Sequence, residues 1–434
     1  MISNFFKTSF ILLIIIYLMW GFSDSYSASN IDNIAHITAI AIDKNENPSA
    51  DLKVTFQFVD VSGSSGGSES SSSSSVILIG VNSNTIDNSI SRLNAYIGKE
   101  INLSHCRNLI FSQEFASEGI APEIYTLINN AQMRPSTNII ITTSKASDYL
   151  KNSNPNVEEL ISKYYDTFEL TSNFTGYSDD TTLGKFYDNI LRSGLGNTAI
   201  LGETFADISS KSNSQSSSGS DLQSQSSDSS ESKSDSKSSE NYTDTDHPIL
   251  DESAQRGTQN IGIAVFNDDT YIGKLSAEES MYHLLVTNNI DSFDISVPLE
   301  NYDKNILNFR ISPYKRPKIK IDTSSDIPFI KLELFCEAHV LSIDRKKDYG
   351  HLDFIINTRP AIEHFMKEKV LSYLNKTSKE FKVDIANFYS KARSNFLTLP
   401  EWNNYNWNEK YKNANFSINV NINLNSQLLY IENQ

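Results

Sequence analysis

The sequence predicts a multi-domain α+β protein of mixed α/β character, in which mixed sheets pack against helices and one long helix lies toward the C-terminus. Three observations carry this. The short apolar runs 109–111 and 139–141 alternate with helical periodicities such as Ile86, Ile90, Leu93 and Ile97, the pattern of helices layered on a buried sheet. Period-two alternation marks strands near both ends, most clearly at Phe416, Ile418, Val420, Ile422 and Leu424. A polar tract in the middle of the 434-residue chain separates two parts of ordinary domain size. The resulting division is a leader at 1–28 and an N-terminal α/β region at 29–205, with a Ser/Gly loop at 62–75 and room for two subdomains. A Ser-rich disordered linker follows at 206–256, then a C-terminal α+β domain at 257–434.

The leader, MISNFFKTSFILLIIIYLMWGF, places one cation, Lys7, ahead of a thirteen-residue apolar run at 10–22, and no acid precedes Asp24. That is the layout of a secretory signal, with a retained N-terminal anchor as the alternative, because the run is shorter than the ~18 residues a spanning helix needs. The rest is read as exported. Two strands follow in IDNIAHITAIAIDK and LKVTFQF, joined by a polar turn. Asp43, Asn45 and Asn47 in that turn have the spacing of a calcium loop, but Pro48 replaces the turn glycine and Val54 the bidentate glutamate. The segment 84–150 reads as helix, strand, helix, strand, helix, with Pro122 in a first turn and Pro135 closing the second helix. Residues 157–205 read as two helices around a polar turn, with Tyr164, Tyr165, Phe168, Phe186 and Tyr187 as aromatic mass.

At 209–240 there are 18 serines in 32 residues and one large aliphatic, Leu222; such a segment cannot bury enough apolar surface to offset its ordering entropy. Beyond it, 261–266 and 271–275 form a hairpin, and Ser276 with Glu279 makes a capping box for a helix carrying Met281, Leu284 and Leu285. Strands FDISV, LNFRI, KIKID and FIKLELFCEAHVLSI come next. The long helix is expected over 360–396, striped by Ile362, Phe365, Met366, Val370, Leu374, Phe381, Ile385, Phe388, Ala392 and Phe396. An aromatic turn and the final strand end the chain.

Composition excludes several functions. A formal net charge of −16 argues against nucleic acid, whose phosphates are bound by neutralising Lys and Arg, and against a general attraction to anionic lipid. Only Cys106 and Cys336 occur, too few for a disulfide framework, and each reads as a buried small hydrophobe. No C-x-x-C, H-E-x-x-H, Walker loop or G-x-G-x-x-G is present, and the seven histidines never pair at ligand spacing. The G-x-S-x-G at 63–67 lies in a tract where Ser and Gly recur by composition, without the strand and helix of a nucleophile elbow. No catalytic, cofactor-binding or metal-ligating residue is assigned, and no cofactor is expected. Trp402, Tyr405, Trp407 and Tyr411 are expected to pack the final strand against the long helix; they also have the chemistry to stack on a sugar, which leaves an exported carbohydrate hydrolase as one rival function. A serine-rich adhesin is the other.

With these segments assembled, the chain resembles the Ger(x)C family, the C subunits of spore nutrient germinant receptors, of the clostridial type. The stretches that carry the resemblance are IDNIAHITAIAIDK with LKVTFQF, INLSHCRNLIFSQEFASEGI, IYTLIN through MRPSTNIII, ISKYYDTF, GYSDDTTLGKFYDNI, NTAILGE and NIGIAVFNDDTYIGKL. The tail from KTSKEFKVDIANFYSKA through EWNNYNWNEKYKNANFSINVNI completes the set. The resemblance implies a lipoprotein-like, non-enzymatic subunit on the outer face of the inner spore membrane, assembled with a membrane-embedded A subunit and a transporter-like B subunit. It also exposes a departure. Family members carry a Gly-Cys lipidation site where this chain has Gly21-Phe22, so no thioether to lipid can form at Phe22.

Replacing residues 209–240 by a short Gly/Ser segment is expected to leave the thermal unfolding transition within about 2 °C, because no packed surface is lost. A differential scanning measurement showing a fall near ten degrees would mean the tract is packed.

Overall fold

The computed structural model describes residues 33–46, 50–59, 76–153, 172–192, 195–204, 257–298, 306–341 and 352–425, together with the isolated positions Phe10, Leu12, Leu13, Ile14, Tyr17, Lys163 and Tyr165. The linker at 206–256, the Ser/Gly loop and Phe22 lie outside them.

The first sheet grows from apolar strands that have no polar face to give to water. Strands β1 (Ile34–Lys44), β5 (Asn108–Ser112) and β6 (Asn138–Thr142) run parallel side by side, and every residue of β5 and β6 is buried. Strands β2 (Leu52–Val59) and β3 (Val76–Ser83) extend one edge antiparallel, and the three-residue β4 (Glu100–Asn102) pairs with β1. Alternation along β1 sorts its side chains. Ile40 and Ile42 face a core built with helices α1 (Ile86–Ile97), α3 (Ala121–Ile128) and α5 (Leu183–Ile190), while Ala39 and Ala41 face α4 (Ala146–Asn152). Helices therefore cover both faces, as a parallel sheet requires. The four-residue α2 (Gln113–Ala116) turns the chain after β5. Thr85 caps α1 by accepting from the Asn88 N–H, and Gly98 ends it at φ 64°, a left-handed position that glycine occupies without strain.

Two expectations change at the middle of the chain. Residues 197–204, read as part of a helical pair, form strand β7 (Asn197–Thr204), parallel to β6 and almost wholly buried. The run NTAILGET is too short to show whether its burial is one-sided, and an apolar run of that length fits helix or strand equally. The hairpin after the serine tract, β8 (Thr258–Asn267) and β9 (Thr270–Leu275), pairs antiparallel with β7 and completes the first sheet, in the order β3-β2-β1-β5-β6-β7-β8-β9. Thr204 sits opposite Thr258, so the serine tract leaves and re-enters at one point of the sheet, where loop length carries only a logarithmic entropy cost.

The second sheet has the order β10 (Phe293–Pro298), β11 (Ile306–Asp322), β12 (Phe329–Val340), β13 (Asn415–Asn425). LNFRI and KIKID are two halves of the single strand β11, interrupted by register shifts between Pro313 and Lys318. β13 runs parallel to β12, which needs a crossover, and helix α7 (Leu352–Asn375) supplies it. The helix starts before Pro360 and closes with a π-helical turn at Lys376–Phe381, well short of residue 396. Left-handed Lys382 and Asn387 (φ 60° and 57°) break the backbone there, and the stripe resumes in the short α8 (Phe388–Arg393). The burial pattern survives the break, since Ile385, Phe388 and Ala392 are all in the core.

Gly196 marks the tightest contact between the parts. Its N–H donates to the Asp384 carbonyl at 2.9 Å, and a Cβ there would stand 2.8 Å from Ile385 Cγ2 and closer still to Val383 Cγ1. Gly196→Ala should therefore destabilise the fold by roughly 1–3 kcal/mol as the seam repacks, readable as a shift in the urea midpoint; an unchanged midpoint would mean the loop after Phe381 moves aside freely.

Candidate functional site

The site with the most polar chemistry is the seam where the two sheets meet, and helix α6 (Ala277–Thr287) builds it. Ser276 accepts from the Glu279 N–H at 3.2 Å and Glu279 accepts from the Ser276 N–H at 2.8 Å, the reciprocal capping box expected from the sequence. From Ser280 to Val286 every residue of α6 is buried. One hydrophobic cluster joins Ile263, Val265 and Leu275 of the first sheet, the α6 side chains, and the inner face of the second sheet with α7.

His283 is the imidazole this helix carries into the core. Its Nδ1 lies 2.7 Å from the Tyr373 hydroxyl on α7, with the rings edge to face. Burial holds its pKa below the ordinary histidine value, against the pull of Asp179 and Asp180. Burial also opposes ionisation of Asp179, but His283, the hydroxyls of Thr181 and Thr198 at 2.5 Å, and the Asp180 N–H outweigh it and hold the carboxyl below the usual carboxylate range. Tyr373, fully buried, is driven well above the usual phenol value, first by burial. The direction common to these shifts is a neutral imidazole hydrogen-bonded to a neutral phenol.

Along the solvent side of α6 and α7 runs a cleft of about 270 Å³ lined by Ser276, Glu278, Glu279, Tyr282, Lys369, Ser372, Tyr373 and Lys376. Its charges are matched: Lys369 Nζ is 2.6 Å from Glu278 and Lys376 Nζ 2.7 Å from Glu279. Glu279 is thus held by its cap and by its lysine, and neither carboxylate is left to act as acid or base on a ligand.

Below the π turn, Asp384 organises the tail. Its carboxylate accepts from the N–H groups of Ala386, Phe388 and Tyr389 and from Trp407 Nε1, at 2.6–3.2 Å. Burial pushes its pKa up to about 6, with those four donors pulling the other way. Thr377 and Tyr411 share a hydrogen bond of 2.8 Å beside it. The tail aromatics lie in α9 (Leu399–Tyr405) and α10 (Trp407–Tyr411), and Trp402, Tyr405, Trp407 and Tyr411 are all buried, with Trp402 and Trp407 stacked at 6.1 Å. They are packing groups, and the sugar platform considered from sequence is not formed.

Other sequence candidates resolve similarly. Asp43 is buried and accepts from the Ala146 and Ser147 N–H groups at 2.6 and 3.0 Å, capping α4 from 103 residues away. Cys106 and Cys336 are buried free thiols pushed up to about 12 by burial, which keeps them protonated. His36 and His105, distant in sequence, meet with ring centroids 4.7 Å apart; the β1–β4 pairing that joins them has no local signal. Among the described residues no group of three or more His, Cys, Asp and Glu is placed to hold a metal.

Two family models match this two-sheet chain in order: the spore germination protein N-terminal domain over residues 27–203, and the spore germination B3/GerAC-like C-terminal domain over residues 261–427. The chain belongs to the Ger(x)C family, the C subunits of germinant receptors. A crystal structure of the GerBC protein shares the fold, with a TM-score of 0.50 at 13% identity over 89% of this chain and 96% of that one. No curated protein sequence matches. The C-terminal match begins inside β8, a strand of the first sheet, so the family's sequence division and the division between sheets fall at different places.

Because His283 binds a proton more weakly folded than unfolded, its contribution to stability is complete above about pH 6.5 and is lost as pH falls below it, by up to ~1.4 kcal/mol per unit. The wild-type minus His283→Gln difference in unfolding free energy, followed by urea titration from pH 7.5 to 5, should show that slope. A flat difference would mean the imidazole is protonated in the fold.

Proposed function

We propose that this chain is a non-enzymatic, membrane-associated subunit of a spore germinant receptor, needed for the response to nutrients. It acts on the outer face of the inner spore membrane beside a membrane-embedded A subunit and a transporter-like B subunit. The observation that carries the reading is the pair of family matches in order on one chain, spanning both sheets. The reading is supported physically by the seam, whose carboxylates are held by a cap, a lysine, threonine hydroxyls or backbone N–H groups, the condition of a scaffold.

Attachment is the point at which this chain leaves its family. With Phe22 at the position of the acylated cysteine, anchoring falls to the apolar leader or to the partner subunits. Phe10, Leu12, Leu13, Ile14 and Tyr17 are helical with exposed side chains; no described helix is long and apolar enough to cross a membrane.

Affinity capture of the tagged full chain from spore membranes, with N-terminal sequencing of the captured protein, tests both points. Co-purification of the A and B subunits is the expected result, with an intact Met1 assigning attachment to the leader and a start near residues 25–29 assigning it to the partner subunits. A soluble chain that captures neither subunit and whose deletion leaves nutrient germination normal would overturn the proposal.

A further inference from the structure

The open face of the second sheet gathers cations in a chain of formal net charge −16. The inner faces of β10 to β13 are buried against α6 and α7, whereas the outer positions are largely exposed on β11 and exposed to half-buried on β12. On that outer face Lys320 stands directly opposite Lys331, Lys318 opposite Glu333, and Lys315 opposite Phe335. Like charges directly opposite on one face destabilise a strand pair. The Lys320/Lys331 pair thus works against the sheet that carries it, and local stability does not explain it.

Neighbouring acids do not cancel the group. Glu333 is shared between Lys331 at 3.3 Å and Lys318 at 4.0 Å. Asp322 accepts from the Ser324 N–H and hydroxyl, and Lys320 and Arg316 make no ion pair with any described residue. At the far end of the face, Arg310 is paired with Asp294 and His339 lies near Glu337. The adjoining positions of β13, Ser417, Asn419 and Asn421, are uncharged. The cations therefore concentrate at the middle of β11, around the register shifts, where Tyr314, Lys315 and Arg316 are all exposed.

Aromatic groups sit among these charges. Tyr314 is 54% exposed and meets Phe335 edge to face at 6.3 Å, and the Lys315 and Lys318 ammonium groups each lie 5.1 Å from the Phe335 ring centre. An exposed tyrosine ringed by long cationic side chains is the composition favoured at headgroup depth, where the ring is half immersed and the ammonium groups reach phosphate. We propose that this face, centred on Tyr314, Lys318, Lys320 and Lys331, docks on an anionic bilayer. The partner follows from charge complementarity and from the breadth of a four-stranded face. The inference draws on the receptor reading only for which bilayer is met; vesicle partition and subunit co-purification are separate readouts, and either can fail alone.

The test uses the purified full chain and vesicles of phosphatidylcholine alone or mixed with phosphatidylglycerol, so that any contribution of the leader is common to every variant. Wild type should prefer the anionic vesicles, and the preference should fade with added salt as screening shortens. Lys318→Gln/Lys320→Gln/Lys331→Gln should lower partition onto anionic vesicles on the order of a hundredfold, at about tenfold for each 1.4 kcal/mol. The exposed lysines Lys99, Lys151 and Lys367, changed together to Gln, should leave it within a few fold. Equal binding to both vesicle types, or equal losses in the two triple variants with unchanged melting temperatures, would overturn the proposal. So would capture by polyglutamate without any preference for anionic vesicles, which would assign the face to an acidic protein.

Discussion

Helix α6 is the constraint on which both sheets depend. A helix buried from Ser280 to Val286 brings its polar groups into the core with it, and each unpaired one would cost of the order of 1–3 kcal/mol. The capping box satisfies its N-terminus, Ser280 Oγ donates to the Ser276 carbonyl, and His283 meets Tyr373. Once those pairs are made, the helix can take apolar contacts from the first sheet on one side and from α7 on the other. Joining sheets through a shared core, and not through a polar interface, ties their stability together. Motion of one against the other would expose Tyr282, Leu284 and Leu285, which are at most 2% accessible.

Asp384 solves the complementary problem where the long helix stops. Lys382 and Asn387 place two left-handed residues within six positions, which frees backbone N–H groups that helix would have satisfied. The Asp384 carboxylate collects three of them and adds Trp407, while its own carbonyl receives the Gly196 N–H from the first sheet. One buried residue thereby ends a helix, seats the aromatic tail and touches the other sheet. Its neutral and charged forms are close in energy for that reason: desolvation favours the acid and four donors favour the anion.

What the sequence disclosed follows the range of each interaction. Local signals were legible: the α1 face from Ile86 to Ile97, the Ser276/Glu279 capping box, the β8–β9 hairpin and the alternation in β13 all appear where expected. Pairings that depend on distant chain were not. β7 lay hidden because only Ala199, Ile200 and Leu201 of its eight residues are apolar, too few to display a period. The hairpin after the serine tract looked like the start of a new unit because the break in composition is abrupt, yet its hydrogen-bond partners are on β7. The long helix was overextended because residues 385, 388 and 392 keep a helical spacing of buried positions while the backbone beneath them does not.

The functional site shows the same division more sharply. Residue types named from sequence as possible chemistry, the tail aromatics and Asp43, prove to be consumed by packing and capping. The residues that form the seam, Asp179, His283, Tyr373 and Asp384, come from segments with no shared motif and meet only through the sheet order. The lysines of β11 and β12 reverse this case, since Lys315, Arg316, Lys318 and Lys320 lie close together in sequence while their cross-strand partners do not. Register alone reveals that Lys331 stands across from Lys320 and that Phe335 lies between Lys315 and Lys318. A cross-strand pair of like charges costs of the order of 0.2–1 kcal/mol; Glu333, 3.3 Å from Lys331, offsets part of it, and water or an external anion can screen the rest.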